Sequence, residues 1–161
     1  MVTIERSTHI LLDAEKVFLL SCSIDLHKIS TQHTGEEAIA GVTTGLVKAG
    51  DTITWRARHL MKTRYHTSRI EAFAPHTHFR DVMIKGEFKH FSHDHYFEPQ
   101  GKGCLMKDEL KVEAPYGWLG KLFMHLYLKK YLTRFLDKRN ATIKDFAESD
   151  KWKLILPHGS F

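Results

Sequence analysis

Two histidines on one predicted strand are the residues of this chain best placed to do chemistry. His93 and His95 alternate with Phe91 and Phe97 in the segment FSHDHYF, so the four side chains share one face of a strand. The flanking phenylalanines indicate that this face points into the protein. A buried imidazole can bind a polar ligand atom, transfer a proton or ligate a metal, which makes this strand the first candidate for a functional site.

Asp108 is the polar exception on the following predicted strand. Even-numbered residues of that strand, such as Met106, are otherwise apolar, so its even face is predicted to point inward. A near-symmetric turn between the two strands sets His93 opposite Asp108 and His95 opposite Met106. A carboxylate in that position would fix the tautomer of the imidazole and raise its pKa.

Asp81, on the preceding predicted strand, completes a candidate polar patch. Pairing across the turn at Gly86 sets Asp81 opposite Phe91, one diagonal step from His93. Three interpretations of the patch stay open: side chains that orient a bound ligand, a structural network of buried polar groups, or a catalytic acid–base pair.

The sequence pattern does not favour a metal site or a cofactor. Two nearby histidines and two aspartates could supply metal ligands, but twelve histidines are scattered through the chain. The sequence has no HExxH or paired CxxC motif, no glycine-rich phosphate loop and no GxSxG motif. We therefore predict neither a metal nor a cofactor.

Alternation of apolar and polar residues predicts the sheet that positions these side chains. From about Ala38 to Val112 the apolar residues recur with a period of two, and short connections containing glycine or proline separate the segments. Short connections favour an antiparallel meander. With a first strand near Val2 to Leu11, the prediction is an antiparallel sheet of six or seven strands.

Helical spacing is found on both sides of this sheet region. Asp13 can cap a first short helix, and a second is predicted through Leu26 and Ile29. From Trp118 to Phe146 the apolar residues follow helical spacing, which predicts an amphipathic helix of about 30 residues. Its first half is apolar on more than one side, and that pattern fits cavity lining, dimerisation or a membrane contact.

A family resemblance covers most of the chain. The segment that carries it most clearly, GEFKHFSHDHYFEPQGKGCLMKDELKVEAPYGWLGKL, resembles the ligand-binding branch of the SRPBCC superfamily, relatives of START domains, polyketide cyclases and the birch-pollen-allergen fold. AGDTITWRAR, TSRIEAFAPHTHFRD and ERSTHILLDAEKVF extend the resemblance upstream. It implies an α+β helix-grip fold, a curved antiparallel sheet around a long C-terminal helix, with a hydrophobic cavity. The superfamily contains both binding proteins and enzymes.

The leading functional prediction is non-catalytic binding of an apolar small molecule or lipid in that cavity. One alternative is a cyclase or dehydratase with His93 or His95 and Asp108 as general acid and base. Another is an interaction module that contacts a partner or membrane through the long helix, favoured by Lys129, Lys130, Arg134, Lys138 and Arg139. The predicted ligand-binding residues are Trp55, Phe79, Asp81, Phe91, His93, His95, Phe97, Met106, Asp108, Leu122 and Leu126.

Composition indicates one domain in the cytoplasm. With 161 residues, 42% of them hydrophobic, residues 1–148 are predicted to form a single domain and 149–161 a tail without an assigned role. The 24 basic and 19 acidic residues are spread along the chain, which argues against nucleic-acid binding. Cys22 and Cys104 are too few for a disulfide framework, and the charged N-terminus predicts neither a signal peptide nor membrane insertion.

Overall fold

Seven strands form one antiparallel sheet in the computed structural model, which describes residues 1–115 and 117–156. In chain order the strands are β1 (Val2–Ile10), β2 (Glu37–Gly41), β3 (Thr52–His59), β4 (Lys62–Ala74), β5 (His78–Lys85), β6 (His90–Gln100) and β7 (Gly103–Glu113). Consecutive strands from β2 to β7 are neighbours, and β1 pairs with β7. The predicted antiparallel meander is confirmed.

Two short helices connect β1 to β2, as predicted. The carboxylate of Asp13 accepts a hydrogen bond from the Lys16 backbone N–H at 2.9 Å, and the Ser23 hydroxyl accepts one from Leu26 N–H at 3.2 Å. Each side chain satisfies an amide at a helix start that has no partner within the helix. The helices are α1 (Ala14–Cys22) and α2 (Ile24–Ser30), and a 3₁₀ turn (Gln32–Thr34) follows them.

A long helical segment follows β7. It consists of α3 (Gly117–Phe123), a π-helical segment (Met124–Leu128) and α4 (Lys129–Ala147), and α4 packs against β1, α1 and α2. The helix-grip fold is therefore confirmed. Of the predicted tail, Trp152 in the short helix α5 (Trp152–Ile155) and Leu156 pack against the core, and residues 157–161 lie outside the described residues. None of the helices in the described part of the chain combines the length and the apolar character of a membrane-spanning segment.

The buried apolar residues form two clusters that meet at a polar position on β7. Cys104 and Met106, near the start of the strand, belong to the cluster that contacts α1. Leu110 and Val112, near its end, belong to the second cluster. Asp108 lies between them on the same inward face, and the apolar core is interrupted there.

The pairing of β5, β6 and β7 differs from the predicted register by two residues. His95 lies opposite Asp108, where His93 was expected, and Asp81 lies opposite His93 instead of Phe91. Side chains alternate with a period of two, so a shift of two residues leaves every side chain on its predicted face. The predicted partners were wrong, but the predicted inward face was right.

Candidate functional site: a cavity with a polar end

A cavity of about 1030 Å³ lies between the sheet, α2 and the C-terminal helical segment. Its volume is at the upper end of the range usual for small-molecule pockets, roughly 300–1,000 Å³. Several residues that line the cavity are also exposed, and these mark its opening between the β3–β4 turn, the β5–β6 turn and α3. They are Lys62, Tyr65, Glu87, Leu119 and Phe123.

Three of the predicted wall residues line the cavity: Trp55, Phe79 and Phe91. Phe97 and Met106 are fully buried, but they belong to the packed core cluster beside the cavity and do not line it. The aromatic wall is therefore built by β3, β5 and β6.

Leu122 and Leu126 correct the prediction that both line the cavity. Neither is among the residues that line the cavity, whereas Leu119 and Phe123, which are also exposed, line it near its opening. Trp118 is also exposed. The apolar residues of this helical region therefore fall into two groups: some line the cavity, and the others lie on the surface away from it. An interaction with a partner or membrane would depend on the surface group.

Asp108 is the centre of the polar end. Its Oδ1 accepts hydrogen bonds from His93 Nε2 at 3.0 Å and from His95 Nδ1 at 2.9 Å. On the other side of the His95 ring, Nε2 lies 3.3 Å from Asp81 Oδ2. The predicted proximity of these four side chains is confirmed. Asp81, His93 and His95 line the cavity, whereas Asp108 lies behind the two imidazoles.

Two residues of α4, which sequence reasoning missed, complete this network. Asn140 Nδ2 donates to Asp108 Oδ2 at 2.6 Å, and Arg139 Nη1 lies 3.3 Å from Asp108 Oδ1. Arg139 is buried and lines the cavity, so its predicted place among basic residues facing a membrane was wrong. A signal was present: both residues interrupt the apolar face of α4 between Leu136 and Ile143, as Asp108 interrupts β7.

The electrostatics of the polar end follow from these contacts. Burial alone would raise the pKa of Asp108, but hydrogen bonds from His93 and His95 and the charge of Arg139 hold that pKa well below its usual value. Burial alone would also raise the pKa of Asp81, but the hydrogen bond from His95 and the proximity of His93 lower it. Burial and the neighbouring His95 lower the pKa of His93. At neutral pH both carboxyls are ionised, and His93 is a neutral imidazole.

A second polar group lies elsewhere on the cavity wall. His27 Nε2 is 3.3 Å from the Glu36 carboxylate, and its ring lies 4.4 Å from that of Trp55. His59 Nδ1 is 2.7 Å from the Tyr131 hydroxyl. All five side chains line the cavity. Sequence reasoning missed this group because Glu36 lies in a connection without periodicity and its partners come from separate elements.

The cysteines do not supply a nucleophile. Burial raises the pKa of Cys22 to about 12 and that of Cys104 to about 11, so both are thiols at neutral pH. Both are buried and unpaired. Cys22 contributes to the cavity wall as a small apolar side chain.

Comparison with known proteins gives structural relatives but no sequence family, since no family model and no curated protein matches the chain. TTHA0849 from Thermus thermophilus superposes with a TM-score of 0.73 at 16% identity, over 89% of this chain and 95% of that one. A START superfamily protein from Mycobacterium smegmatis superposes with a TM-score of 0.69 at 12% identity, over 91% of this chain and 97% of that one. Ginseng major latex-like protein 151 from Panax ginseng superposes with a TM-score of 0.67 at 16% identity, and the match covers 91% of this chain and 97% of that one. At these identities the likeness shows the fold alone.

Proposed function

We propose that this chain, which has the helix-grip fold of the SRPBCC superfamily, binds an apolar small molecule or lipid in its cavity. The observation that carries the proposal is the cavity itself, about 1030 Å³ in volume, with a largely apolar wall and a few converging polar groups. Trp55, Phe79 and Phe91 supply flat apolar area for the ligand. A cytoplasmic location is part of the proposal, and the two unpaired buried cysteines support it.

The polar end would orient the ligand. His93 Nε2–H donates to Asp108, so Nδ1 carries the lone pair that a ligand hydroxyl would meet. Arg139 lines the same end and supplies a donor for a ligand carbonyl or carboxylate. Glu36 and Tyr131 on the second polar group would accept a further polar substituent. The ligand class that fits is an apolar skeleton with oxygen functions at separate positions.

Ser68 provides the test of this site. It is a small buried residue of β4 whose side chain lines the cavity, so Ser68→Trp fills the cavity. We expect wild-type protein to carry a co-purifying small molecule in native mass spectrometry and to bind a fluorescent fatty acid, and Ser68→Trp to lose both. Arg69→Trp adds the same side chain to the exposed face of the same strand and should bind as wild type. Equal binding by both variants would locate the probe outside the cavity and end the proposal.

An enzyme is the second candidate, and the observation that favours it is a cavity-lining imidazole, His93, whose Nε2 is hydrogen-bonded to Asp108. With Nε2–H held by Asp108, Nδ1 has the arrangement of a general base facing a bound substrate. Incubation of the protein with its co-purifying molecule, followed by mass spectrometry, tests for conversion. Conversion that His93→Gln abolishes while binding persists would support catalysis, and an unchanged ligand would support binding alone.

A further inference from the structure

We infer that Asp81, His93 and His95 form a binding site for one divalent transition-metal ion at the polar end of the cavity. Their donor atoms all lie within 4.8 Å of one another, and among the described residues they are the one such group of three or more. Two imidazoles and one carboxylate are a donor set for Zn²⁺ or Fe²⁺, and they leave further coordination positions open.

The distance between two of these donor atoms fits an ion bound between them. His95 Nε2 and Asp81 Oδ2 are 3.3 Å apart. An ion about 2.1 Å from each atom would make an angle of about 100° at the metal, between the octahedral and tetrahedral values. Asp81 pairs directly with His93 across β5 and β6, and His95 is two residues further along the same face, so rigid strands position all three.

Asp108 sets both imidazoles in the tautomer that metal binding needs. Its Oδ1 accepts from His93 Nε2 and His95 Nδ1, so His93 Nδ1 and His95 Nε2 are the nitrogens that an ion could bind, and at His95 Nε2 the ion would replace the hydrogen bond to Asp81. A carboxylate behind a metal-binding imidazole is a recurrent arrangement, because it fixes the ring and makes it a better donor. Asn140 and Arg139 hold Asp108 in turn.

The charges of the polar end also favour a bound cation. His95 Nε2 lies 3.3 Å from Asp81 Oδ2, so an ion bound between them would take the place of that contact. The carboxylates of Asp81 and Asp108 carry two negative charges against one positive charge on Arg139. A bound cation would offset this excess of negative charge.

The open coordination positions would face the cavity, because all three donors line it. An oxygen of the molecule bound there could complete the coordination of the ion. That last step rests on the proposed function, whereas the metal site itself requires only the side chains of β5, β6, β7 and α4.

A second histidine–aspartate cluster on the same strands provides a matched control. His78 Nε2 lies 2.7 Å from Asp94 Oδ1, but Arg80 Nε donates to that same oxygen at 2.8 Å. The guanidinium already occupies the place that a cation would take. His78→Ala therefore removes a histidine from a comparable pair without touching the inferred site.

The experiment uses metal alone. Metal-free protein is titrated with Co²⁺, followed by its visible absorption bands, and Zn²⁺ is then added as a competitor. We expect one equivalent to bind, and we expect Asp81→Asn and His95→Gln each to weaken binding by at least about tenfold, whereas His78→Ala binds as wild type. Circular dichroism checks folding, and Asp81→Asn is the milder variant because its side chain is partly exposed to the cavity.

Two results would overturn the inference. One is wild-type protein that gives no absorption change with one equivalent of Co²⁺. The other is binding that His78→Ala weakens as much as Asp81→Asn, since scattered histidines would then hold the ion. Neither result bears on fatty-acid binding, which the comparison of Ser68→Trp with Arg69→Trp tests on its own. Failure of the metal site is therefore distinguishable from failure of the proposed function.

Discussion

Two histidine–aspartate clusters lie back to back on β5 and β6. The inner cluster contains Asp108 and faces the cavity, and the outer cluster contains Asp94 on the opposite face of the sheet. The two aspartates are almost equally buried, 2% and 1% exposed. Hydrogen bonds from Arg80 and His78 outweigh burial and lower the pKa of Asp94, much as the inner contacts lower that of Asp108.

The clusters differ in what surrounds the partners of each aspartate. Arg80 in the outer cluster is 37% exposed at its side chain, and His78 stacks on Tyr96 with ring centroids 4.7 Å apart. Arg139 in the inner cluster is 5% exposed at its side chain. A buried histidine–aspartate pair is therefore not a functional site by itself. The inner cluster is distinguished by imidazoles that face a cavity and by a cation that is almost fully buried.

Asp108→Asn should produce the largest effect of any single change in either cluster. The amide keeps the shape of the side chain but leaves the charge of Arg139 buried without its counter-charge. Removing one partner of a buried ion pair costs about 3–5 kcal/mol of the free energy of unfolding. Urea denaturation followed by circular dichroism measures the loss.

The outer cluster supplies the comparison for that variant. Asp94→Asn should cost about 1–2 kcal/mol, because Arg80 can turn into water when the carboxylate is replaced. Equal losses from Asp94→Asn and Asp108→Asn would mean that enclosure of the cation adds nothing, and the distinction between the two clusters would then be wrong.

Tryptophan substitutions at Met106 and Ser68 compare two positions on the inner face of the sheet, one in the packed core and one at the cavity. Met106 is fully buried in the core cluster, so Met106→Trp should lower the free energy of unfolding by about 1–3 kcal/mol through overpacking. Ser68→Trp has the cavity to fill and should cost less. Thermal unfolding of the two variants decides, and a larger loss for Ser68→Trp would mean that the cavity does not accommodate the new ring.

The inward face of the candidate site could be predicted from the sequence, whereas its pairing could not. Alternation put His93, His95 and Asp108 on the inner face, because that property depends only on the period of a strand. The register depends on the turn: Gln100 pairs with Gly103, so only two residues connect β6 and β7. The turn is therefore centred between Gly101 and Lys102, one residue later than the turn from Pro99 to Lys102 assumed from the sequence, and a shift of one residue in the centre of the turn moves the pairing by two residues.

The helical half of the site was harder to predict because it depends on which way a helix faces. The apolar pattern predicted the helix, but spacing alone could not distinguish Leu119 and Phe123, which line the cavity, from Leu122 and Leu126, which do not. A π-helical segment adds a residue to a turn, so residues before it are rotated relative to α4. The sequence alone gives no sign of that rotation.

His78→Ala should have only a small effect on the free energy of unfolding if the outer cluster is a surface structure. The His78 side chain is partly exposed and Arg80 keeps Asp94 paired, so the loss should be at most about 1 kcal/mol. Fluorescent fatty-acid binding should be unchanged. A loss of probe affinity in this variant would mean that the outer cluster is coupled to the cavity and that the two faces cannot be treated separately.

The smallest effect is expected from Glu36, a partly buried carboxylate that lines the cavity and has a partly exposed partner in His27. Burial alone would raise the pKa of Glu36, but the charge and hydrogen bond of His27, the charge of His59 and a hydrogen bond from Thr31 lower it below its ordinary value of 4.5. A carboxyl with a lowered folded-state pKa stabilises the fold above the unfolded value, and that stabilisation is lost as the pH falls through the folded value. Glu36→Gln lacks this titration, so its free energy of unfolding should fall less than that of wild type between pH 7 and pH 3 in urea titrations. Glu37→Gln, at a surface residue paired with Arg56, is the adjacent control, and a Glu36→Gln profile parallel to that of wild type would contradict the assignment.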